Sequence, residues 1–147
     1  MILDATPRQP DAPRLPLLVT GIAGVAGYNA FHYFRSLYPG QVIGTRRVDN
    51  WRLSGPGIEP CDTHDRDQLA RLFDRYQFAS VLNCEGSCKL KSCELDPAMA
   101  ERVNVGGVRS LLDIVDSATV DSFICPSIWC FPVPAEATIA REIHPIP

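Results

Sequence analysis

The chain has 147 residues, 46% of them hydrophobic and 21% charged, with a formal net charge of −3. A chain of that length buries roughly 68–70% of its unfolded surface, enough for one domain with a real core and little more. The slight acidity argues against non-specific attraction to nucleic acid or acidic membranes, and no apolar run approaches the ~20 residues of a membrane helix.

Residues 1–14 (MILDATPRQPDAPR) are polar, proline-rich and without periodicity, which predicts a flexible arm ahead of one domain over 15–147. The arm lacks the basic start and apolar core of a secretory signal, so a cytoplasmic location is expected. Residues 15–20 (LPLLVT) form an apolar run ending at glycines and read as a buried strand. Ala26, Ala30, Phe34 and Leu37 then recur at helical spacing until Pro39-Gly40 stops the helix. Residues 41–45 (QVIGT) read as a second strand, 50–57 (NWRLSGPG) as a loop, and 58–61 as a weak third strand. Leu69, Leu72, Phe73 and Tyr76 mark the next helix, with Thr63 or Asp65 as its cap. Residues 80–84 (SVLNC) give a fourth strand. Asp96-Pro97 opens a long helix whose second half buries Val108, Leu111, Leu112 and Val115, and 122–125 (SFIC) is a fifth strand. Gly106 and Gly107 weaken that helix, which points to close packing on the sheet.

Strands alternating with helices predict right-handed βαβ crossovers and a parallel sheet covered on both faces. The expected architecture is a Rossmann-type, doubly wound α/β fold of three layers with strand order 3-2-1-4-5. A ligand would sit at the carboxyl edge, beside strands 1 and 4.

Thr20-Gly21-Ile22-Ala23-Gly24-Val25-Ala26-Gly27 is the sharpest motif. Three glycines at three-residue intervals follow a strand and open a helix, the context of a dinucleotide-binding loop. Gly21 permits the tight turn, Gly24 lets backbone approach a pyrophosphate, and Gly27 lets the helix pack closely on the sheet. The helix start offers free N–H groups and a positive dipole end to phosphates. The second strand should end beside the adenosine ribose. There the chain carries Arg46 and Arg47, the former 25 residues after Gly21, in place of the acidic residue usual for NAD. Two guanidinium forks suit a 2′-phosphate, which favours NADP(H). The competing reading makes them solvated arginines, with Asp49 on the ribose of NAD(H).

The six cysteines are Cys61, Cys84, Cys88, Cys93, Cys125 and Cys130, and none forms C-x-x-C. They read as reduced, partly buried thiols, and no metal is expected.

The ordered set TGIAGVAG, Asp62, Asn83-Cys84-Glu85-Gly86, Asn104-Val105-Gly106-Gly107 and Pro126-Ser127 resembles the extended short-chain dehydrogenase/reductases. It looks most like their sugar-nucleotide branch, the dTDP-4-dehydrorhamnose reductases and NAD-dependent epimerases and dehydratases. The segment from Cys93 to Pro97, followed by Val103-Asn104-Val105, is similar to the loop and helix after their fourth strand. The resemblance implies pyrophosphate contacts from Gly21, Gly24, Val25 and Ala26. It implies an adenine amine contact from Asp62, with the Thr63 backbone nearby. Cys84, Glu85 and Gly86 would line the cofactor, Asn104 would brace the site, and Ser127 would hydrogen-bond the reacting substrate oxygen. For each a plainer structural role stays open, such as a helix cap for Asp62 and a satisfied core amide for Asn104.

Two departures from the family pattern stand out. Glu85 occupies a position where the family usually has a small residue. A carboxylate there must turn away, become neutral, or meet Lys89 or Lys91, which would otherwise contact a substrate phosphate. The family also needs a Tyr-x-x-x-Lys pair, and none of Tyr28, Tyr33, Tyr38 or Tyr76 belongs to one. That tyrosine normally follows a segment like residues 141–147 (REIHPIP), where this sequence stops, and the substrate-binding part of the fold is absent from it.

The expected function is therefore the NADP(H)-binding part of a sugar-nucleotide reductase or epimerase, acting on a nucleotide-sugar and not competent for turnover as the chain stands. The alternative is a non-catalytic NAD(P)-binding regulatory or assembly module. In that case the fifth strand would be an exposed edge, and homo-oligomerisation or a partner would be expected. A relic without nucleotide affinity is the third reading.

Overall fold

Short runs of β-branched and aliphatic residues, each bounded by glycine, proline or polar residues, become the strands of one sheet. In the computed structural model, which describes residues 12–87, 89–117, 120 and 122–124, they are β1 (Leu17–Thr20), β2 (Val42–Arg46), β3 (Ile58–Pro60), β4 (Ser80–Asn83) and β5 (Ser122–Ile124). Most of the arm expected over 1–14, and Ser127 with the 141–147 segment, lie outside the described residues. The sheet order is β3-β2-β1-β4-β5 and each pairing is parallel, as the alternation of elements predicts. Register places Leu18 beside Ile43 on one side and Val81 on the other, and Thr20 beside Asn83.

β1, β3 and β4 each feed a helix, while β2 runs through a loop into β3. The helices are α1 (Val25–Leu37), α2 (Arg66–Tyr76), the short α3 (Leu90–Leu95), α4 (Pro97–Glu101) and α5 (Gly107–Ser117). β1, β2 and β4 are buried on both faces, so they read as continuous apolar runs rather than as alternations. The side chains still alternate in space. Leu17, Val19 and Val42 pack with Ile22 and Phe31 of the α1 side, while Leu18, Ile43 and Val81 pack with Leu69, Leu72, Phe73 and Leu111 of α2 and α5. Two cores thus share one sheet. Gly44 of β2 makes room for the first of them, since a Cβ there would lie 2.8 Å from the Phe31 ring.

The caps explain where the helices begin. Asp65 caps α2, accepting from the Gln68 and Asp67 N–H groups at 3.0 Å each, and the bonds from the Gln68 N–H and the Gln68 side chain hold its carboxyl below the usual carboxylate range. Asp62 caps no helix. Asp96 accepts from the Met99 N–H at 2.9 Å, and Pro97 takes the first position of α4. The expected long helix is present from Pro97 to Ser117, but its middle, Arg102–Gly106, is wound as a π-helix. Gly106 and Gly107 do not face the sheet as expected. A Cβ on either would meet the ring of His64, and one on Gly107 also the Thr63 hydroxyl at 3.4 Å. Among the described residues, no helix is long and apolar enough to cross a membrane.

Candidate functional site

The turn from β1 into α1 runs directly over the end of β4. Gly21 sits at φ +66°, and a Cβ there would lie 2.7 Å from the Cys84 carbonyl and the Glu85 nitrogen. Any side chain would be both strained and in collision, so the position requires glycine. The loop is then tied down by its own backbone: Gly24 N–H donates to Gly21 O at 3.0 Å, and Ile22 N–H donates to Thr45 O at 3.1 Å, at the end of β2. A Cβ on Gly27 would fall 2.2 Å from the Gly21 carbonyl oxygen. The first turn of α1 therefore rests on the loop itself, rather than on the sheet as the sequence suggested.

Gly24 differs from its neighbours. A Cβ there would touch only Gly21 O, at an ordinary 3.5 Å, so its outer side is open. Gly24 is also the N-cap of α1, and no side chain caps that end. Val25 and Ala26 follow, both exposed. The first-turn N–H groups, which have no intrahelical acceptor, are thus available to an anion at the positive end of the helix dipole.

Beside this helix start lies a cleft of about 140 Å³, lined by Gly21, Ala23, Gly24, Thr45, Arg46, Arg47, Cys61, Cys84, Glu85 and Gly86. The carboxyl ends of β1, β2 and β4 thereby meet at one place. A second hollow of about 470 Å³ opens across the same loop, between the start of α1 and residues 50–53, with Tyr28, Asn29, Asn50 and Arg52 in its wall. Ala23 and Gly24 line both, so a ligand lying over the glycine loop reaches either side. Sequence reasoning missed Ala23, Thr45 and Cys61 as lining residues. The rule that ligands bind outside the carboxyl ends of the strands was the signal that would have found Thr45 and Cys61.

The two arginines behave differently. Arg47 is exposed and pairs with Asp49 through two bonds, Nε to Oδ1 at 3.2 Å and Nη2 to Oδ2 at 3.1 Å. Arg46 is half-buried; its Nη1 donates to the Arg47 and Val48 carbonyls at 2.9 and 3.3 Å, and its Nε is buried without a partner among the described residues.

The other predicted residues stand around the cleft. Asp62 keeps its carboxylate 55% exposed; Oδ1 accepts from the His64 N–H at 3.0 Å and lies 3.2 Å from His64 Nδ1. His64 Nε2 reaches the Arg102 carbonyl of the π-helix at 2.8 Å, tying the loop after β3 to the long helix. Thr63 is fully buried, and its hydroxyl makes no hydrogen bond of good geometry among the described residues. Asn104 is buried inside the π-helix, accepts from the Ser87 N–H at 2.7 Å and donates to the Ser87 carbonyl at 3.2 Å. It grips the strand-like stretch after β4 as a cross-strand partner would. The buried Thr20 hydroxyl donates to Asn83 Oδ1, which also accepts from the Glu85 N–H at 3.2 Å. His64, Ser87 and Asn83 act as supports that spacing alone did not reveal.

Glu85 does not turn away and meets neither lysine. It lines the cleft, while Lys89 and Lys91 are exposed. Burial pushes its carboxyl above the usual range, and the nearby Thr63 hydroxyl, which stands close without hydrogen-bond geometry, pulls it back. The Cys61 thiol is pushed up to about 12 by burial and by the carboxylates of Glu85, Asp62 and Asp65. No group of three His, Cys, Asp or Glu side chains among the described residues is arranged to hold a metal.

Comparison with known proteins places this geometry. The sequence matches no curated protein significantly. Its fold is similar to that of L-threonine dehydrogenase from Clostridium difficile (TM-score 0.66, 21% identity, 76% of this chain and 35% of that one). It is also similar to UDP-glucose 4-epimerase from Thermotoga maritima, solved with UDP-glucose (TM-score 0.67, 21% identity, 74% and 36%). A third similar structure is UDP-glucose-4-epimerase from Stenotrophomonas maltophila with bound NAD and formylated UDP-arabinopyranose (TM-score 0.66, 22% identity, 76% and 36%). The chain spans about 35% of the length of such structures. A family model described as NAD dependent epimerase/dehydratase matches residues 17–136, and by that match the chain belongs to the NAD dependent epimerase/dehydratase family.

Proposed function

We propose that the chain is the NADP(H)-binding part of an oxidoreductase or epimerase that acts on a nucleotide-sugar. The observation that carries this reading is the uncapped start of α1 at Gly24, open beside a cleft whose wall holds Arg46. Backbone N–H groups there suit phosphate oxygens, and the orphaned Arg46 Nε is a buried donor still lacking an acceptor. These residues fit a nicotinamide dinucleotide, which when bound supplies hydride transfer. The protein's part is to hold it. Gly24, Val25 and Ala26 would bind the pyrophosphate, and Asp62 would face the adenine. Asn104 would keep the stretch after β4 in place through Ser87. Ser127 would orient the substrate oxygen.

The preference for the 2′-phosphorylated cofactor rests on Arg46, since Asp49 already engages Arg47. Arg46→Ala is expected to weaken NADP(H) binding about tenfold or more and NAD(H) binding little, because a charge-assisted contact to phosphate is worth roughly 1.5–3 kcal/mol. Titration of both cofactors against wild type and variant reads this. Equal losses for the two would remove the proposed 2′-phosphate contact.

A further inference from the structure

Glu85 is held where it cannot avoid an incoming ligand. Its N–H is bonded to Asn83 Oδ1, and its backbone lies against Gly21, so the residue is fixed at the cleft by the same contacts that shape the glycine loop. Glu85 shares that cleft with Gly21, Ala23 and Gly24, the backbone that suits phosphates, and its carboxyl lies near the Thr63 hydroxyl.

The groups that face Glu85 offset its burial only in part: Thr63, His64 and Arg47 favour the ionised form and Asp62 opposes it, while Cys61, in the wall of the same cleft, is an uncharged thiol held well above the usual range. From the loop after β3 come Asp62, a like charge, Thr63, and His64, whose two ring nitrogens lie against Asp62 Oδ1 and the Arg102 carbonyl. From the end of β2 come Arg47, paired with Asp49, and Arg46, whose Nη1 is spent on backbone carbonyls. The β1–α1 turn presents only the backbone of Gly21, Ala23 and Gly24 and the methyl group of Ala23, and Glu85's own segment adds Cys84 and Gly86. Among the described residues, no cation forms an ion pair with Glu85. Burial already favours its neutral form. A diphosphate entering the same space adds negative charge at short range, which favours that form further. A neutral carboxyl is a donor as well as an acceptor, whereas a carboxylate only accepts.

We propose that Glu85 is a binding residue of the dinucleotide site that acts as a hydrogen-bond donor: its carboxyl takes one proton from solvent as the ligand enters and donates it toward a ligand oxygen. This rests on the dinucleotide reading of the cleft. Affinity then falls as pH rises from where free Glu85 ionises toward the higher pH at which liganded Glu85 does, and binding absorbs up to one proton per ligand.

Calorimetric titration with NAD+ in two buffers of different ionisation enthalpy counts that proton. NAD+ is the right probe because its diphosphate does not titrate near neutrality, whereas a phosphate monoester does, at about pH 6. Assayed from about pH 5 to about pH 8, wild type should take up protons and should lose affinity as pH rises, by at most about tenfold per pH unit. Glu85→Gln should take up none and bind equally at both ends of that range. Binding by wild type without proton uptake, or equal uptake by Glu85→Gln, would overturn the inference and leave the dinucleotide reading intact. No binding of NAD+ or NADP+ by wild type at any pH would overturn both.

Discussion

The glycine loop separates two jobs that one motif performs. Gly21 and Gly27 are required by the fold, because added Cβ atoms would strike backbone at 2.7 and 2.2 Å. Gly24 has room, so its lack of a side chain serves what approaches from outside. Gly27→Ala should therefore lower the melting temperature, while Gly24→Ala should melt near wild type yet bind NADP+ at least tenfold more weakly, read by thermal denaturation and titration. At Glu85, burial lets the folded protein keep its proton to higher pH than the unfolded chain does. Stability should fall as pH rises from the usual carboxylate range through that raised value, and Glu85→Gln should abolish that fall in urea titrations. Cys61, only 3% exposed with its thiol near 12, should hold about one thiolate per ten thousand thiols at pH 8 and resist alkylation until the protein unfolds.

At the scale of elements, the strands and most helices were legible because their signals are local. The apolar run ending at Gly21, the Pro39-Gly40 stop and the Asp96-Pro97 start each act within a few residues. Around the cleft Asn104 was expected as a brace from the family resemblance, but the partners of the supports were not legible, because they lie far apart in sequence. Asn104 and Ser87 meet only once the π-helix turns the amide toward β4, and His64 reaches Arg102 across 38 positions. α3 was also missed: its six residues are too few for a periodic signal and no side chain caps it. The glutamine at the end of α2 gave no stop signal either, yet Gln77 adopts φ +51° and its side chain bonds the Phe73 and Asp74 carbonyls. Among these supports Asn104 carries the clearest consequence. Asn104→Ala removes both bonds to Ser87 and should cost about 1–3 kcal/mol in chemical denaturation, with weaker dinucleotide binding.

Across the molecule, one parallel sheet joins two apolar layers, and the binding edge depends on both. Phe31, 0% exposed, anchors α1 and its open N-terminus on one face; Leu111, also 0% exposed, anchors the long helix on the other. The family match covers residues 17–136, and the glycine loop lies where those layers meet the carboxyl ends of β1 and β4. The central claim is that this edge binds a nicotinamide dinucleotide. A calorimetric titration of the purified chain with NADP+ tests it most directly. Saturable binding at one ligand per chain, weakened by Gly24→Ala, is the predicted result; no heat of binding at millimolar ligand, with the chain shown to be folded, would contradict it.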